Sequence, residues 1–259
     1  MRIPRLQLVE IEDLPWCPAL IRNYATDYLH AMETRLDLMT PVLPLLLLTI
    51  ASSGATQVVD LCSGGGGPVL ALYEGLLTSG VRIGFTLTDK YPNLEAFTRL
   101  AALHPDLRFI SAPVDATALP PNLPGMRTLF NAFHHFAPTQ ARAMLADAAE
   151  ARQPIAIFEI PERGLLMFLV VMLTPALVLL VTPFIRPFRW SRLLWTYLIP
   201  LVPFLCWWDG MVSMCRAYTV DEMRALTTGL GGHQWTIAQA SIHGSLGHIT
   251  YLIGIPIRG

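Results

Sequence analysis

The chain has 259 residues, of which 53% are hydrophobic and 14% charged, with a formal net charge of −1 and a mean hydropathy of +0.47. That length suits one α/β domain with an elaboration, since a sheet wrapped by helices needs roughly 150 to 250 residues. The charged share falls well below the about 25% of an ordinary soluble domain, so part of the chain is expected to meet lipid. With no basic stripe, the attraction on which nucleic-acid binding depends is missing, and nucleic acid is excluded as a partner. Cys17, Cys62, Cys206 and Cys215 have no metal-type spacing, and a chain of this size needs no disulfide staples, so a reducing, cytosolic setting without a metal site is expected. Glu10, Glu12 and Asp13 lie where a signal peptide would place its apolar core, so no export is expected.

In chain order, Leu20, Tyr24, Tyr28, Met32, Leu36 and Met39 recur at helical spacing and predict an amphipathic helix over 19–39, with Arg22, Asp27 and Glu33 on its other face. Pro41 and Pro44 then start a short apolar helix leading into the sheet. Strands are predicted at 57–61, 83–88, 107–110, 127–131 and 154–160, with helices at 68–78, 93–103 and 138–151 between them. This β-α repetition implies a parallel, doubly wound sheet with helices on both faces. Late in the chain, Thr219 caps a helix that Gly229 stops, and two antiparallel strands close the sequence. Four segments are expected: an N-terminal helical lid at 1–52, an α/β core at 53–162, an apolar insertion at 163–208 and a completion of the core at 209–259.

The run Val58-Val59-Asp60-Leu61-Cys62-Ser63-Gly64-Gly65-Gly66-Gly67-Pro68 joins an apolar strand to a helix start through a glycine-rich turn. Glycines allow positive φ and close approach of a ligand, and the helix start offers unpaired N–H groups. A plain flexible loop is the alternative, which the placement between strand and helix disfavours. Asp89, beside Lys90, ends the second strand, where a carboxylate can accept from ribose hydroxyls. Asp115, with Ala116, follows the third. Each aspartate alone is more often a cap or turn former, but all three at successive strand ends form a pattern.

On these residues the chain resembles the class I methyltransferases, over 57–160 and again over 218–257. The resemblance implies a Rossmann-like sheet of about seven strands with the last antiparallel, and S-adenosylmethionine as cofactor, leaving S-adenosylhomocysteine. It implies that Asp60, Cys62, Ser63, Gly64, Gly65 and Gly66 surround the methionine part, Asp89 and Lys90 the ribose, and Asp115 and Ala116 the adenine, with Asn131 and Phe133 also at the cofactor. Cys62 replaces the first glycine of the family's motif, and altered backbone geometry with intact binding is expected there. Nicotinamide binding, the rival, lacks its G-x-G-x-x-G pattern.

The segment Leu129 to Phe136 contains His134 and His135 and is similar to the "HHF" stretch of methyltransferases that act on small molecules. Either imidazole could serve as base, or as a cap or pocket lining. Glu159 ends the fifth strand at the same rim and could orient substrate, bind a cation or pair with Arg163. Past the insertion, Trp208, Asp209, Arg216 and Tyr218 are candidate substrate contacts. Arg216 either clamps a substrate carboxylate or bridges to Asp209 or Asp221.

Residues 164–185 carry no charge and are long enough to span a bilayer. Arg186, Arg189 and Arg192 follow, then a shorter apolar stretch broken by Pro200 and Pro203. Both arms return to one domain, so a spanning hairpin would leave three arginines on the far side, against the positive-inside tendency. A hairpin that dips into one leaflet removes the conflict, with the tip arginines reaching headgroups alongside Trp190 and Trp195, and the prolines bending both arms. Packing on the enzyme body or across a homodimer is the alternative. The expected function is methyl transfer to a small or lipid-like acceptor on the cytoplasmic face of a membrane, with lipid contact through 164–208. Oxygen methylation of a carboxylate or hydroxyl is favoured over a quinone or isoprenoid ring, and an inactive membrane scaffold is the reading from a different class.

Overall fold

The computed structural model describes residues 4–243 and 247–257, so residues 1–3, 244–246 and 258–259 of the first and last expected segments lie outside it. Short runs of β-branched and aromatic residues form five parallel strands: β1 (Gln57–Asp60), β2 (Gly84–Leu87), β3 (Leu107–Phe109), β4 (Met126–Phe130) and β5 (Ile155–Glu159). Two long strands, β6 (His233–Ser241) and β7 (His248–Pro256), complete a seven-stranded sheet of order β3-β2-β1-β4-β5-β7-β6. β7 runs antiparallel to β5, with Ile157 opposite Leu252. The predicted strands and their order along the chain agree with this arrangement.

The helices are α1 (Ala19–Leu36), α2 (Leu43–Ser53), α3 (Val69–Thr78), α4 (Leu94–Leu103), α5 (Pro138–Glu150), α6 (Leu165–Val181), α7 (Trp190–Leu193), α8 (Leu201–Arg216) and α9 (Val220–Thr227). Thr219 and Glu222 form a reciprocal cap at the start of α9, each side chain bonded to the other's backbone N–H. Strand alternation divides the interior into two cores. Val58, Met126, Phe130, Ala156 and Phe158 face one side with α2 and α3, while Val59, Leu129, Ile155 and Ile157 face the other with α5 and α9. Phe130 and Phe158 stack at 5.5 Å between β4 and β5. Removing either ring would cost about 3–5 kcal/mol.

A third core ties the insertion to the N-terminus: Ile21, Tyr24 and Tyr28 of α1 pack with Val178 of α6, Ile185, and Val202 and Leu205 of α8. α6 and α8 pack together as a hairpin, and α8 also packs on α1. Residues Leu165–Phe184 form one continuous apolar helix that runs through Pro175, only 17% buried. The first arm is therefore unbroken, contrary to the bend expected at that proline. The second arm does bend, by 70° between Trp190–Leu198 and Leu201–Arg216.

Two of the three tip arginines require a correction, while Arg186 is exposed. Arg192 does not reach outward: it is 1% exposed, donates to Asp27 Oδ2 at 2.5 Å and to the carbonyls of Ile185 and Pro187, and its guanidinium lies over the Tyr24 ring. Arg189 pairs with Glu95 of α4, and Arg35 of α1 donates to the Phe184 carbonyl. Desolvated charge needs an opposite charge nearby, and Asp27 supplies it where lipid headgroups could not. The hairpin tip therefore rests against the α/β body, with Trp190 exposed and Trp195 turned into the third core.

Candidate active site

The sheet's chain order reverses between β1 and β4, and the crevice beyond their carboxyl ends is the standard ligand position of such sheets. A cavity of about 300 Å³ occupies it. Its floor is the turn after β1, where Cys62, Gly64, Gly66 and Gly67 all have positive φ. A Cβ on Gly66 would lie 2.2 Å from Leu100, and one on Gly65 would lie 3.0 Å from the Thr26 carbonyl oxygen. The glycines thus let helices α4 and α1 close down on the turn. Cys62 holds φ 58°, in the left-handed region that favours glycine.

Asp89 fixes this turn: Oδ2 accepts from the Gly64 amide at 2.8 Å and Oδ1 from the Tyr91 amide at 2.7 Å. Asp115 accepts from Thr117 and pairs with Lys90 at 3.2 Å, which holds its carboxyl below the usual range. Asp60 lies behind the turn, 2% exposed, taking hydroxyl hydrogen bonds from Ser63 and Thr128 at 2.7 Å each. Burial outweighs those bonds and pushes it up to about 7.

The roof comes from α1. Asn23, Thr26, His30 and Glu33, spaced three and four apart, line the cavity together with Arg22. The polar side of α1 therefore faces the crevice. His30 bonds the Gly67 carbonyl through Nδ1 at 2.8 Å. Glu33 accepts from Asn131 Nδ2 at 2.5 Å, and Asn131, at φ 51°, also accepts from the Ile160 amide. Burial, with Asp60 nearby, pushes Glu33 up to about 7.

At the other end sits a charged cluster. Glu159 accepts from the Phe133 amide at 2.7 Å and bonds His134 Nδ1 at 2.6 Å; His134 and the Phe133 amide together outweigh burial and hold its carboxyl low. His135 Nδ1 bonds Asp13 Oδ1 at 2.8 Å and faces Glu10 at 3.3 Å. Burial alone would lower His135, but Glu10, Asp13 and Glu12 push it up to about 10. Arg216 bridges Glu10 at 3.1 Å and Asp13 at 2.9 Å, so neither Asp209 nor Asp221 is its partner.

Of the residues singled out from sequence, the cavity wall contains Cys62, Ser63, Gly64, Gly65, Asp89, Lys90, Asp115, Ala116, Asn131 and His135. Others stand outside that wall. Asp60 and Gly66 shape the turn from behind, and Phe133 packs on Tyr218 with ring centroids 5.4 Å apart. His134 and Glu159 are buried behind His135, and Arg163 pairs with Glu222, so Glu159 is not its partner. Trp208 donates to the Val9 carbonyl, Asp209 accepts from the Ile11 and Glu12 amides, and Tyr218 donates to the Phe136 carbonyl beneath the Arg5 guanidinium. These three anchor the N-terminal strap. Glu33, Glu12, Asp13, Thr26 and His30 line the cavity without having been singled out as site residues. The i, i+3, i+7, i+10 polar stripe from Asn23 to Glu33 is the signal that could have found α1's part.

The chain matches no protein-family model and no curated protein. Solved structures do resemble it. Human N-acetylserotonin methyltransferase, in complex with SAM, superposes with a TM-score of 0.53 at 13% identity, covering 98% of this chain and 63% of that one. A plantazolicin methyltransferase in complex with SAH gives a TM-score of 0.50 at 12% identity, covering 92% and 96%. At such identities the likeness is one of fold, and it agrees with the strand order found here: the chain has the Rossmann-like α/β fold of the class I methyltransferases, closed by an antiparallel strand.

Proposed function

We propose that the chain binds S-adenosylmethionine in this crevice and catalyses methyl transfer to a small or amphiphilic acceptor at the cytoplasmic surface of a membrane. The observation that carries the reading is the wall's chemistry: Glu12, Asp13, Glu33, Asp89 and Asp115 converge on one cavity beside a glycine turn. An acid-rich wall, in which burial pushes Glu12 up to about 8 and Glu33 up to about 7, suits a ligand whose sulfonium and ammonium draw those acids into their charged form better than it suits a dinucleotide's pyrophosphate. Asp89 retains free lone pairs for ribose hydroxyls beyond its two amide bonds. Asp115, Lys90 and Ala116 would meet the adenine, and Glu33 with Asn131 the methionine ammonium.

Bound there, the cofactor supplies an electrophilic methyl group. The chain's own contribution is to hold the acceptor in line with it and keep water away, since α1 roofs the crevice. His135, held charged by its carboxylate neighbours, is a poor base and a good partner for an anionic oxygen. This favours an acceptor already ionised, such as a carboxylate, over a ring carbon that needs a proton removed.

The membrane reading rests on the hairpin's outer face, where Leu165, Leu166, Leu169, Leu173 and Leu180 are all more than half exposed. A contiguous apolar surface of this kind is unfavourable in water. With the tip returned to the catalytic body, the hairpin suits lying in one leaflet rather than crossing both.

Calorimetry with S-adenosylmethionine and S-adenosylhomocysteine should give one site per chain, weakened at least tenfold by Asp89→Ala. Absence of heat at high micromolar cofactor would reject the catalytic reading in favour of a scaffold. Incubation with labelled cofactor and organic extracts should then identify the acceptor by the label it takes up.

A further inference from the structure

We propose that Glu10, His134 and His135 form a binding site for one divalent transition-metal cation at the acceptor end of the cavity. One ligand atom from each of the three lies within 4.8 Å of the others. His134 Nε2 is 3.7 Å from Glu10 Oε1, and His135 Nδ1 is 3.3 Å from Glu10 Oε2. Two ligand atoms about 2.1 Å from a tetrahedral zinc ion lie about 3.4 Å apart. Small rotations of the two rings would therefore place all three around one ion, with His135 Nδ1 exchanging its bond to Asp13 for the metal.

Two independent features point to a cation. Glu10 is 1% exposed, and its Oε2 is a buried oxygen with no hydrogen-bond partner. A buried carboxylate oxygen without a hydrogen bond is costly, and the nearest group, His135 Nδ1 at 3.3 Å, spends its bond on Asp13 instead. The second feature is the partner behind His134. Glu159 Oε2 sits 2.6 Å from its Nδ1, so Nε2 is the ring nitrogen left to face Glu10, 3.7 Å from its Oε1. An ion placed between Nε2 and the Glu10 carboxylate would be held by both. A carboxylate behind the far nitrogen of a histidine is the usual way a ligating imidazole is oriented.

Charge balance agrees. Glu10, Asp13 and Glu159 crowd the two rings, Glu12 lies 3.8 Å from His135 Nε2, and Arg216 is the permanent cation paired with Glu10 and Asp13. Arg216 engages Oε1 and leaves Oε2 unbonded, so it does not fill the position. Where the metal binds, it replaces the proton that His135 otherwise carries. Two imidazoles and a carboxylate suit zinc, cobalt, iron or manganese better than magnesium or calcium, which take oxygen ligands. His135 belongs to both the cluster and the cavity wall, so an ion there would hold an acceptor oxygen as a Lewis acid.

The test needs neither cofactor nor acceptor and is independent of methyl transfer. The full chain, purified in detergent and stripped with chelator, is titrated with zinc by calorimetry and with cobalt(II) by visible absorption. One equivalent should bind, with absorption bands of a nitrogen–oxygen site. Glu10→Gln, His134→Gln and His135→Gln should each abolish that site, and Glu159→Gln should weaken it about 10- to 100-fold. His243→Asn, just past the edge strand β6 and bonded to Asp37 rather than to the cluster, should leave it intact. No stoichiometric binding by the wild-type chain would overturn the proposal whatever the variants do, and so would binding that survives Glu10→Gln.

Discussion

Cys62 occupies a left-handed backbone position, φ 58°, in the turn that carries the cavity floor. Left-handed geometry costs an L-residue about 1–2 kcal/mol, least for small or polar side chains and most for β-branched ones. Cys62→Gly should therefore change stability by less than about 1 kcal/mol, while Cys62→Val should lower it by about 1–2 kcal/mol, both read from urea unfolding. Glu33 gives a pH signature. Its carboxyl is pushed up to about 7 in the folded chain, above its ordinary 4.5, so in the empty protein it favours folding at low pH. That contribution is lost as pH rises through 7. A cationic ligand reverses the preference by favouring the ionised form, so S-adenosylmethionine affinity should rise between pH 5.5 and 7.5. Glu33→Gln should flatten that rise and cost about 1.5–3 kcal/mol of cofactor binding, measured by calorimetry across the range. The glycine turn, Asp89 and Asp115 were legible from sequence because a strand, a turn and an acid follow one another locally. Glu33 was not, because a polar helix face looks the same whether it meets water or a crevice. Glu10, Glu12 and Asp13 read only as a reason against a signal peptide. Their partners His134, His135 and Arg216 lie more than a hundred residues away, and no local pattern reports a contact of that range.

At the scale of elements, the hairpin is pinned to α1 by the buried pair Arg192–Asp27, with Tyr24 hydrogen-bonded to Ser191 at 2.6 Å beside it. Removing one member of a buried ion pair strands the other, which typically costs 3–5 kcal/mol. Arg99 lies 3.6 Å from Asp27 and keeps part of its pairing, so Arg192→Met should destabilise the chain by about 2–3 kcal/mol, and combining it with Asp27→Leu should recover part of the loss, as thermal unfolding of the single and double variants would show. The helical hairpin was visible in sequence as two uncharged stretches around a basic tip. Its docking was not, since three arginines between apolar arms suit a headgroup layer and a carboxylate on α1 equally well. Pro175 misled for a related reason: a proline removes one donor and crowds one carbonyl, and a helix packed along one side absorbs this without breaking.

For the whole molecule, five strands were legible as short apolar runs, of which β4 and β5 are buried on both faces, and a closing antiparallel pair as the two long runs at the end, while the seven-stranded sheet was what the resemblance implied. The hairpin's outer face adds a property that the sheet lacks. If it rests in lipid, the wild-type chain should float with liposomes, and Leu169→Glu with Leu173→Glu should leave it in the dense fraction while cofactor binding is kept. Flotation unchanged by both charges would place the lipid contact elsewhere.

Helix α1 is a single rod with two jobs: Ile21, Tyr24 and Tyr28 lean on the hairpin, and Thr26, His30 and Glu33 overhang the glycine turn. A rigid beam cannot settle differently on one support without shifting over the other. Were the hairpin seated in lipid as proposed, bilayer thickness and headgroup packing would become variables in how tightly the crevice grips its ligand, and a loaded chain would in turn prefer some lipid surfaces over others.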